Sequence, residues 1–489
     1  MNTMNMWKIK IWMAFGLLLT GCESLLDEPI YSQLSPENLL TTEEGIKNVL
    51  FSAYAEVANM SGADSKAEIA REEWPTDMMW QTGGGENATA VQFINFSWDA
   101  GLSLLYSSLW APYYRAIRNA NILLDNIDQI ESSRKEQFKA EARFIRVVSY
   151  NRLFNAFGPV PLRKSELDDL SIPRPSVDEM MQFIETELLE ALPNLPDPGN
   201  EEAYGRATKG AAYGILCKFY LNTNQWQKSA DAAQEIIDMG YYGLQDNYVE
   251  MFNVENERNN EFIWVKPAYP SADRASSNDW MNGAFPVGFV KDPKSGLEFR
   301  SNWVIFASEF RMRDAFYESF SADDVRKDLI LTSFINVSGA TVTLLGDDNT
   351  RSFKYWPDPN AVAQAHGNDI PVIRYADVLL SRAEALLELN GPNQESINLI
   401  NQIRDRAHVT LLKLADFPST DSLRNHLLKE RGWEFFSEGK RREDMIRMGV
   451  FVSGAVSRGI SNAREHHVLF PIPQQAMDSD PALIQNDGY

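Results

Sequence analysis

Residues 374–407 read RYADVLLSRAEALLELNGPNQESINLINQIRDRA. Two helical segments, 374–389 and 395–407, flank the turn Asn390-Gly391-Pro392. Gly-Pro ends one helix and reverses the chain before the next. Ala376, Ala383 and Ala385 fall at packing positions, where small side chains let a neighbouring helix come close.

The same unit recurs on either side. In residues 110–130, Tyr113, Ile117, Ala120, Leu124 and Ile127 repeat at spacings of three and four, the period of one helix face. A second helix over 138–157 follows, stopped by Gly158-Pro159. Residues 207–221 and 226–239 pair around Asn222-Thr223-Asn224, with Ala211, Ala212, Ala230 and Ala233 between them. Residues 423–436 and 442–448 are candidates for a fourth pair. Pairs of this size resemble tetratricopeptide units, although long interruptions break the period. A lone pair cannot bury its own apolar face, so pairs distant in sequence must stack. The expected fold is mainly α, built from such pairs stacked on one another.

The interruptions have another character. Residues 60–99 read as loop-rich, with Trp74-Pro75, Trp80 and Gly83-Gly84-Gly85. Residues 266–303 hold four prolines and three glycines among Tyr269, Trp280, Phe285, Phe289, Phe299 and Trp303. Residues 262–265 predict a buried strand containing Trp264, and 337–345 a short strand. Loops carried on a rigid scaffold are the usual home of binding groups.

At the N-terminus, Lys8 and Lys10 precede an apolar run over 11–19, too short to span a bilayer. The run ends in Leu19-Thr20-Gly21-Cys22, which resembles a bacterial lipobox. Residues 1–21 are then a signal peptide and Cys22 the lipidated first residue. Loss of two lysines takes the formal net charge of -22 to -24. Lipid chains anchor in proportion to their buried methylenes, so the chain is expected on a membrane without crossing it. The acidic balance disfavours nucleic acid as a partner. With Cys22 occupied, Cys217 has no disulfide partner; inside the apolar run 211–221 it reads as a buried, inert thiol.

Six stretches, in order, resemble the SusD/RagB family of nutrient-binding outer-membrane lipoproteins. They are Leu25-Leu26-Asp27-Glu28-Pro29; Tyr114-Arg115-Ala116-Ile117-Arg118-Asn119-Ala120-Asn121; Glu141-Ala142-Arg143-Phe144-Ile145-Arg146 with Phe157-Gly158-Pro159-Val160-Pro161; Arg374-Tyr375-Ala376-Asp377-Val378-Leu379-Leu380 with Ala383-Glu384-Ala385; Glu430-Arg431-Gly432-Trp433-Glu434-Phe435 with Glu438-Gly439-Lys440-Arg441-Arg442; and Pro471-Ile472-Pro473 with Gln485-Asn486-Asp487-Gly488-Tyr489. Asp377 stands where the family often has Glu. The resemblance implies a mainly α fold, four tetratricopeptide-like hairpins packed against an irregular, loop-rich half with a few short strands, as one domain over 22–489 in three parts: 22–240, 241–373 and 374–489. It implies glycan capture at the outer surface and delivery to a SusC-like TonB-dependent transporter barrel. Glu23, Asp27 and Glu28 resemble a surface-export signal of such lipoproteins. Nothing in the six stretches names the sugar.

A sugar offers a C–H face and a rim of hydroxyls, so a site needs flat aromatics beside planar polar groups. Trp80 with Gln81, Glu86 and Asn87 meets that description, as does Trp280 with Asn278, Asp279 and Asn282. Trp74, Tyr269 and Trp303 complete the candidates, while Trp110, Trp226 and Trp433 read as core. Glu68, Glu72, Glu73 and Asp77 could suggest a hydrolase, but a solvated acidic face is the preferred reading. There is no nucleophile elbow, phosphate loop or His-Glu-x-x-His motif. His466-His467 would diverge on a strand and make a poor metal site. Calcium at loop acids such as Asp347 and Asp348 lacks ligand spacing, so no cofactor is expected. Arg143, Arg374, Arg431 and Arg441, beside Glu141, Glu384, Glu430 and Glu434, read as helix-locking ion pairs. Two functions compete: a surface glycan-binding lipoprotein, and a lipid-anchored helical scaffold that binds protein or peptide.

Overall fold

The computed structural model describes residues 40–489 apart from 59–64, 82–83, 272–275 and 307–309. Cys22 and the leader lie outside the described residues. Eleven helices carry the architecture: α1 (Glu43–Ala58), α2 (Ser65–Glu73), α3 (Ala111–Asn126), α4 (Lys135–Phe157), α5 (Val177–Ala191), α6 (Lys209–Asn222), α7 (Trp226–Asp238), α8 (Tyr375–Asn390), α9 (Gln394–Arg406), α10 (Thr420–Phe435) and α11 (Arg441–Arg447). All four expected hairpins are present: α3–α4, α6–α7, α8–α9 and α10–α11. The opening stretch folds as read. Gly391, with φ +69°, ends α8 in a conformation open to glycine, and the Asn393 side chain caps α9 by accepting from Ser396 N at 2.9 Å.

The hairpins stack although they are far apart in the chain. α3 packs between α1 and α4, and α4 against α5; α7 packs between α6 and α8, and α8 against α9 and α10. Small residues permit the close approaches. A Cβ at Gly214 of α6 would lie 2.8 Å from Ile373 Cγ2, so only glycine lets this helix sit on the strand below. Cys217 is buried one turn on, and desolvation raises its thiol to about 11, which keeps it protonated.

Strands are short and antiparallel. Phe262–Lys266 pairs with Ile370–Arg374, and Trp264 is buried there as expected. Met79–Trp80 pairs with Arg311–Met312, Ile330–Leu331 with Arg351–Ser352, and Phe289–Lys291, Ser333–Asn336 and Thr341–Thr343 form a three-stranded sheet. The strand expected over 337–345 is shorter. Asn336 Oδ1 accepts from Ser338 N and Ala340 N and builds a turn, which leaves Val337 at its exposed tip. Residues 60–99 are also less irregular than expected, since α2 and the helix Asn87–Ile94 lie within them. One apolar cluster runs from Ala53 to Leu483 and includes residues of both halves.

Through this core runs a charged network. The Arg374 guanidinium meets Glu261 and Glu434 at 2.6 Å and Glu438 at 2.9 Å, all fully buried. Arg406 of α9 reaches Glu261 at 3.1 Å and Glu434 at 2.5 Å. Arg326 joins Asp324 and Glu430, and Arg404 joins Glu430. A second knot ties Arg431 to Asp377 and Asp444 at 2.8 Å, and Arg447 to Glu384 at 2.6 Å. The arginines read from the sequence do lock helices together, with partners that differ from their sequence neighbours. Arg143 takes Glu187 and Glu190, Arg441 takes Asp77, and Glu141 takes Arg206.

Removing one member of such a buried set strands its partners and costs about 3–5 kcal/mol. Arg374→Met keeps much of the volume and loses the charge. Its unfolding free energy in urea should fall by roughly that amount. A loss below about 1 kcal/mol would mean that the network does not hold the helices.

Candidate ligand-binding face

The structure separates the sequence candidates into a buried set and an exposed set. Trp280 is fully enclosed, stacked on Phe310 at 4.5 Å with its Nε1 donating to Ser352 O at 3.1 Å. Trp303 is buried on Phe285 and donates to Asp358 O at 2.7 Å. Trp74 is buried against Phe93 and Phe310. Asn278 and Asn282 are buried too, their amides donating to the carbonyls of Asn368 and Gln364 at 3.1 Å and 2.7 Å. These five residues present no surface to a ligand. Within the irregular segment 266–303 the stretch 278–286 is buried throughout, and its asparagines satisfy buried carbonyls there. Gln81 is also buried.

Trp80 and Tyr269 remain. Tyr269 is 55% exposed, at the lip of a separate cleft. Trp80 is half-buried in the strand Met79–Trp80, directly opposite Arg311. The Arg311 guanidinium lies 5.6 Å from the indole centroid, within cation–π range. The indole Nε1 donates to Asp348 O, 268 residues away, which fixes the plane of the ring. The 344–350 loop is held by two carboxylates, its own Asp348 and Asp314 of the helix Asp314–Glu318. Asp348 Oδ1 accepts from Asp314 N at 2.8 Å, and Asp314 Oδ2 accepts from Gly346 N and Asp348 N at 2.8 Å. Asp347 is exposed on this loop, and Gly84 and Gly85 are exposed on the segment between Trp80 and Asn87. Asn87 opens the helix Asn87–Ile94; its Oδ1 is buried without a hydrogen-bond partner.

A cationic floor lies under the face. Arg351 donates to Asn349 Oδ1 at 2.6 Å and to Phe310 O at 3.2 Å. Burial, then the neighbouring Arg311, pulls its guanidinium down to about 9. The arrangement is an oriented aromatic plane with a guanidinium over one face and an acidic loop at its edge. That suits stacking of an apolar ring face, with hydrogen bonds to groups on its rim. Arg311 and Asp348 were invisible as partners of Trp80 in the sequence, because a two-residue strand pairing and one indole bond bring them together.

The acids before Trp80 are not a solvated face. Glu72 and Glu73 are buried, and Glu68, Glu72 and Asp77 each meet a cation. Glu68 takes Lys266 at 2.6 Å and Arg152 at 3.2 Å, Glu72 takes Arg152 at 2.9 Å, and Asp77 takes Arg441 at 2.7 Å. Glu73 accepts only from backbone, Gly439 N at 3.1 Å, and burial pushes its carboxyl up to about 8. His466 and His467 do not diverge. They lie on a 3-10 turn with ring centroids 4.1 Å apart. Among the described residues, no group of three or more His, Cys, Asp or Glu side chains could hold a metal ion.

Residues 25–221 match the family model described as starch-binding associating with outer membrane, and residues 353–489 match that of the SusD family. The chain belongs to the SusD family. SusD-like protein P25 of Formosa agariphila is 26% identical, over 96% of each chain. The starch-binding protein SusD of Bacteroides thetaiotaomicron is 24% identical, over 85% of this chain and 84% of its own. Among solved structures, a laminarin binding SusD-like protein superposes with a TM-score of 0.79 at 23% identity, over 92% of this chain and 100% of its own. Surface glycan-binding protein A from Bacteroides uniformis gives 0.76 at 24%, over 91% and 99%. The SusD fold is therefore present along the described chain.

Glu73 yields a pH prediction. Its folded pKa lies above the ordinary value of 4.5, so the folded state holds a proton that the unfolded state releases as pH rises. Stability should fall between about pH 5 and pH 8, by on the order of 1 kcal/mol or more from this group. Glu73→Gln should flatten that part of the profile in urea titrations at stepped pH; an unchanged slope would refute the assignment.

Proposed function

We propose that the protein is a lipid-anchored glycan-binding protein of the outer membrane that holds a saccharide on the Trp80 face and passes it to a TonB-dependent transporter barrel. The Trp80 face carries this reading, because it sets a ring-stacking plane and polar rim groups on a rigid frame. Relatives named for starch, laminarin and surface-glycan binding support the ligand class. The lipobox-like Leu19-Thr20-Gly21-Cys22 supports the anchor. The barrel partner is implied by the family. The protein is read as a binder and not a catalyst, since Glu68, Glu72 and Asp77 are each engaged by a cation.

Trp80→Ala should weaken oligosaccharide binding by roughly tenfold or more, about 1.4 kcal/mol, in isothermal titration with glucan oligomers. Trp280→Ala is the contrast: a buried ring lost from the core costs about 3–5 kcal/mol of stability and touches no ligand. Full affinity in a folded Trp80→Ala variant would overturn the assignment of the face. For the anchor, Cys22→Ser should abolish incorporation of labelled palmitate and release the chain from the membrane fraction. Retained labelling would place the lipid elsewhere.

A further inference from the structure

A second cleft, of about 550 Å³, shares no lining residue with the contacts of Trp80. It lies between the 198–208 segment that leads into α6, the Tyr241-Tyr242 pair after α7, and the strand Phe262–Lys266 with the loop that follows. Four tyrosines line it: Tyr204, Tyr241, Tyr242 and Tyr269. Tyr241 and Tyr269 are 45% and 55% exposed, unusual for rings beside an ordered core. Tyr241 and Tyr242 meet edge to face at 5.1 Å, so one ring braces the other.

The local sequence makes room for these rings. A Cβ at Gly210 would meet the Tyr242 hydroxyl at 2.3 Å, and one at Gly199 the Tyr241 hydroxyl at 2.9 Å. Two glycines in one short segment thus allow the ring edges to seat. Arg258 has φ +59°, a left-handed backbone uncommon for arginine, and its guanidinium lies 5.0 Å over the Tyr204 ring. Glu201, Asn259 and Thr208 supply polar groups around the aromatics.

A cleft of this size is in the range that holds a small ligand. Its tyrosines offer ring faces for C–H stacking, and the planar guanidinium and amide can read hydroxyls. A purely apolar ligand would strand those polar groups. Glu201 and Glu202 in the lining are balanced by Arg206 and Arg258, a charge-neutral set that suits a neutral ligand.

We propose that this cleft is a second carbohydrate subsite, taking a neutral saccharide between Tyr241 and Tyr269 independently of the Trp80 face. The inference rests on the glycan-binding reading above. It adds a site on a different part of the molecule, so one glycan chain or two separate ends could be held at once.

The test uses the full mature chain labelled with 3-fluorotyrosine, in the Trp80→Ala background, titrated with laminarihexaose, maltohexaose, cellohexaose and xylohexaose. Fluorine resonances of Tyr241 and Tyr269 are assigned with the single Tyr→Phe variants. At least one oligosaccharide should shift both resonances saturably. Tyr241→Ala with Tyr269→Ala should weaken that binding by tenfold or more in a protein whose circular dichroism still reports the native fold. If sugars bind in a Trp80-dependent way and neither tyrosine resonance moves, the cleft is not a subsite and the glycan-binding reading stands. If no oligosaccharide binds even the native chain, both readings fall. Resonances moved by a proline-rich peptide and by no sugar would overturn the subsite in favour of peptide docking.

Discussion

The C-terminal helices and the sheet beside them are positioned by the carboxylates gathered around Arg374. This residue ends the strand Ile370–Arg374 and immediately precedes α8. Its guanidinium reaches Glu434 of α10, Glu438 beyond it, and Glu261 at the entrance of the neighbouring strand. Arg406 of α9 shares Glu261 and Glu434. Three helices and a two-stranded sheet are therefore registered on one set of charges. Apolar faces tolerate sliding, but a buried charge tolerates almost no displacement from its partner, because the exposed alternative is an unpaired ion in a low-dielectric interior. The network contributes geometry more surely than it contributes net stability.

The same charges connect the helical array to the irregular half. Lys354 is fully buried, 2.6 Å from Glu438, and donates to the carbonyls of Glu434 and Phe436 at 2.9 Å and 3.0 Å. It stands just past the strand Arg351–Ser352. Ser352 O receives the indole N–H of Trp280, Trp280 stacks on Phe310, and Phe310 adjoins Arg311 at the side of Trp80. A continuous run of packed or hydrogen-bonded groups thus leads from the ion network to the proposed binding face. Trp280 and Trp80 have successive jobs along it, one as support and the other as contact.

That division explains what was legible in the sequence. The hairpins were readable because helix packing writes its period locally: Ala376 and Ala383 mark one packing face of α8, and Ala385 the face toward α6 and α7. Helices α1 and α5 escaped a reading that followed the strongest patterns, although Ser176 and Glu179 form a capping box that signals the start of α5. The site was only partly readable. Proline, glycine and tryptophan together suggested exposed loops, yet a buried irregular segment has the same composition. It differs in that its side-chain amides must serve its own backbone, as Asn278 and Asn282 do. The acids 68–77 misled for a related reason, because their partners Arg152, Lys266 and Arg441 lie far along the chain.

In the proposed role, fixing Trp80 in advance has a consequence for selectivity. Its only hydrogen-bond donor is spent on Asp348 O, so the ring offers a ligand its face and nothing directional. Stacking on a preoriented face loses little conformational entropy on binding, and it accepts any saccharide with a flat C–H surface. Discrimination must then come from the groups around the ring, Arg311 and the 344–350 loop among them. A family built this way can keep the ion network and the supporting tryptophan while its rim changes. Relatives of one fold can then carry names as different as starch-binding and laminarin binding.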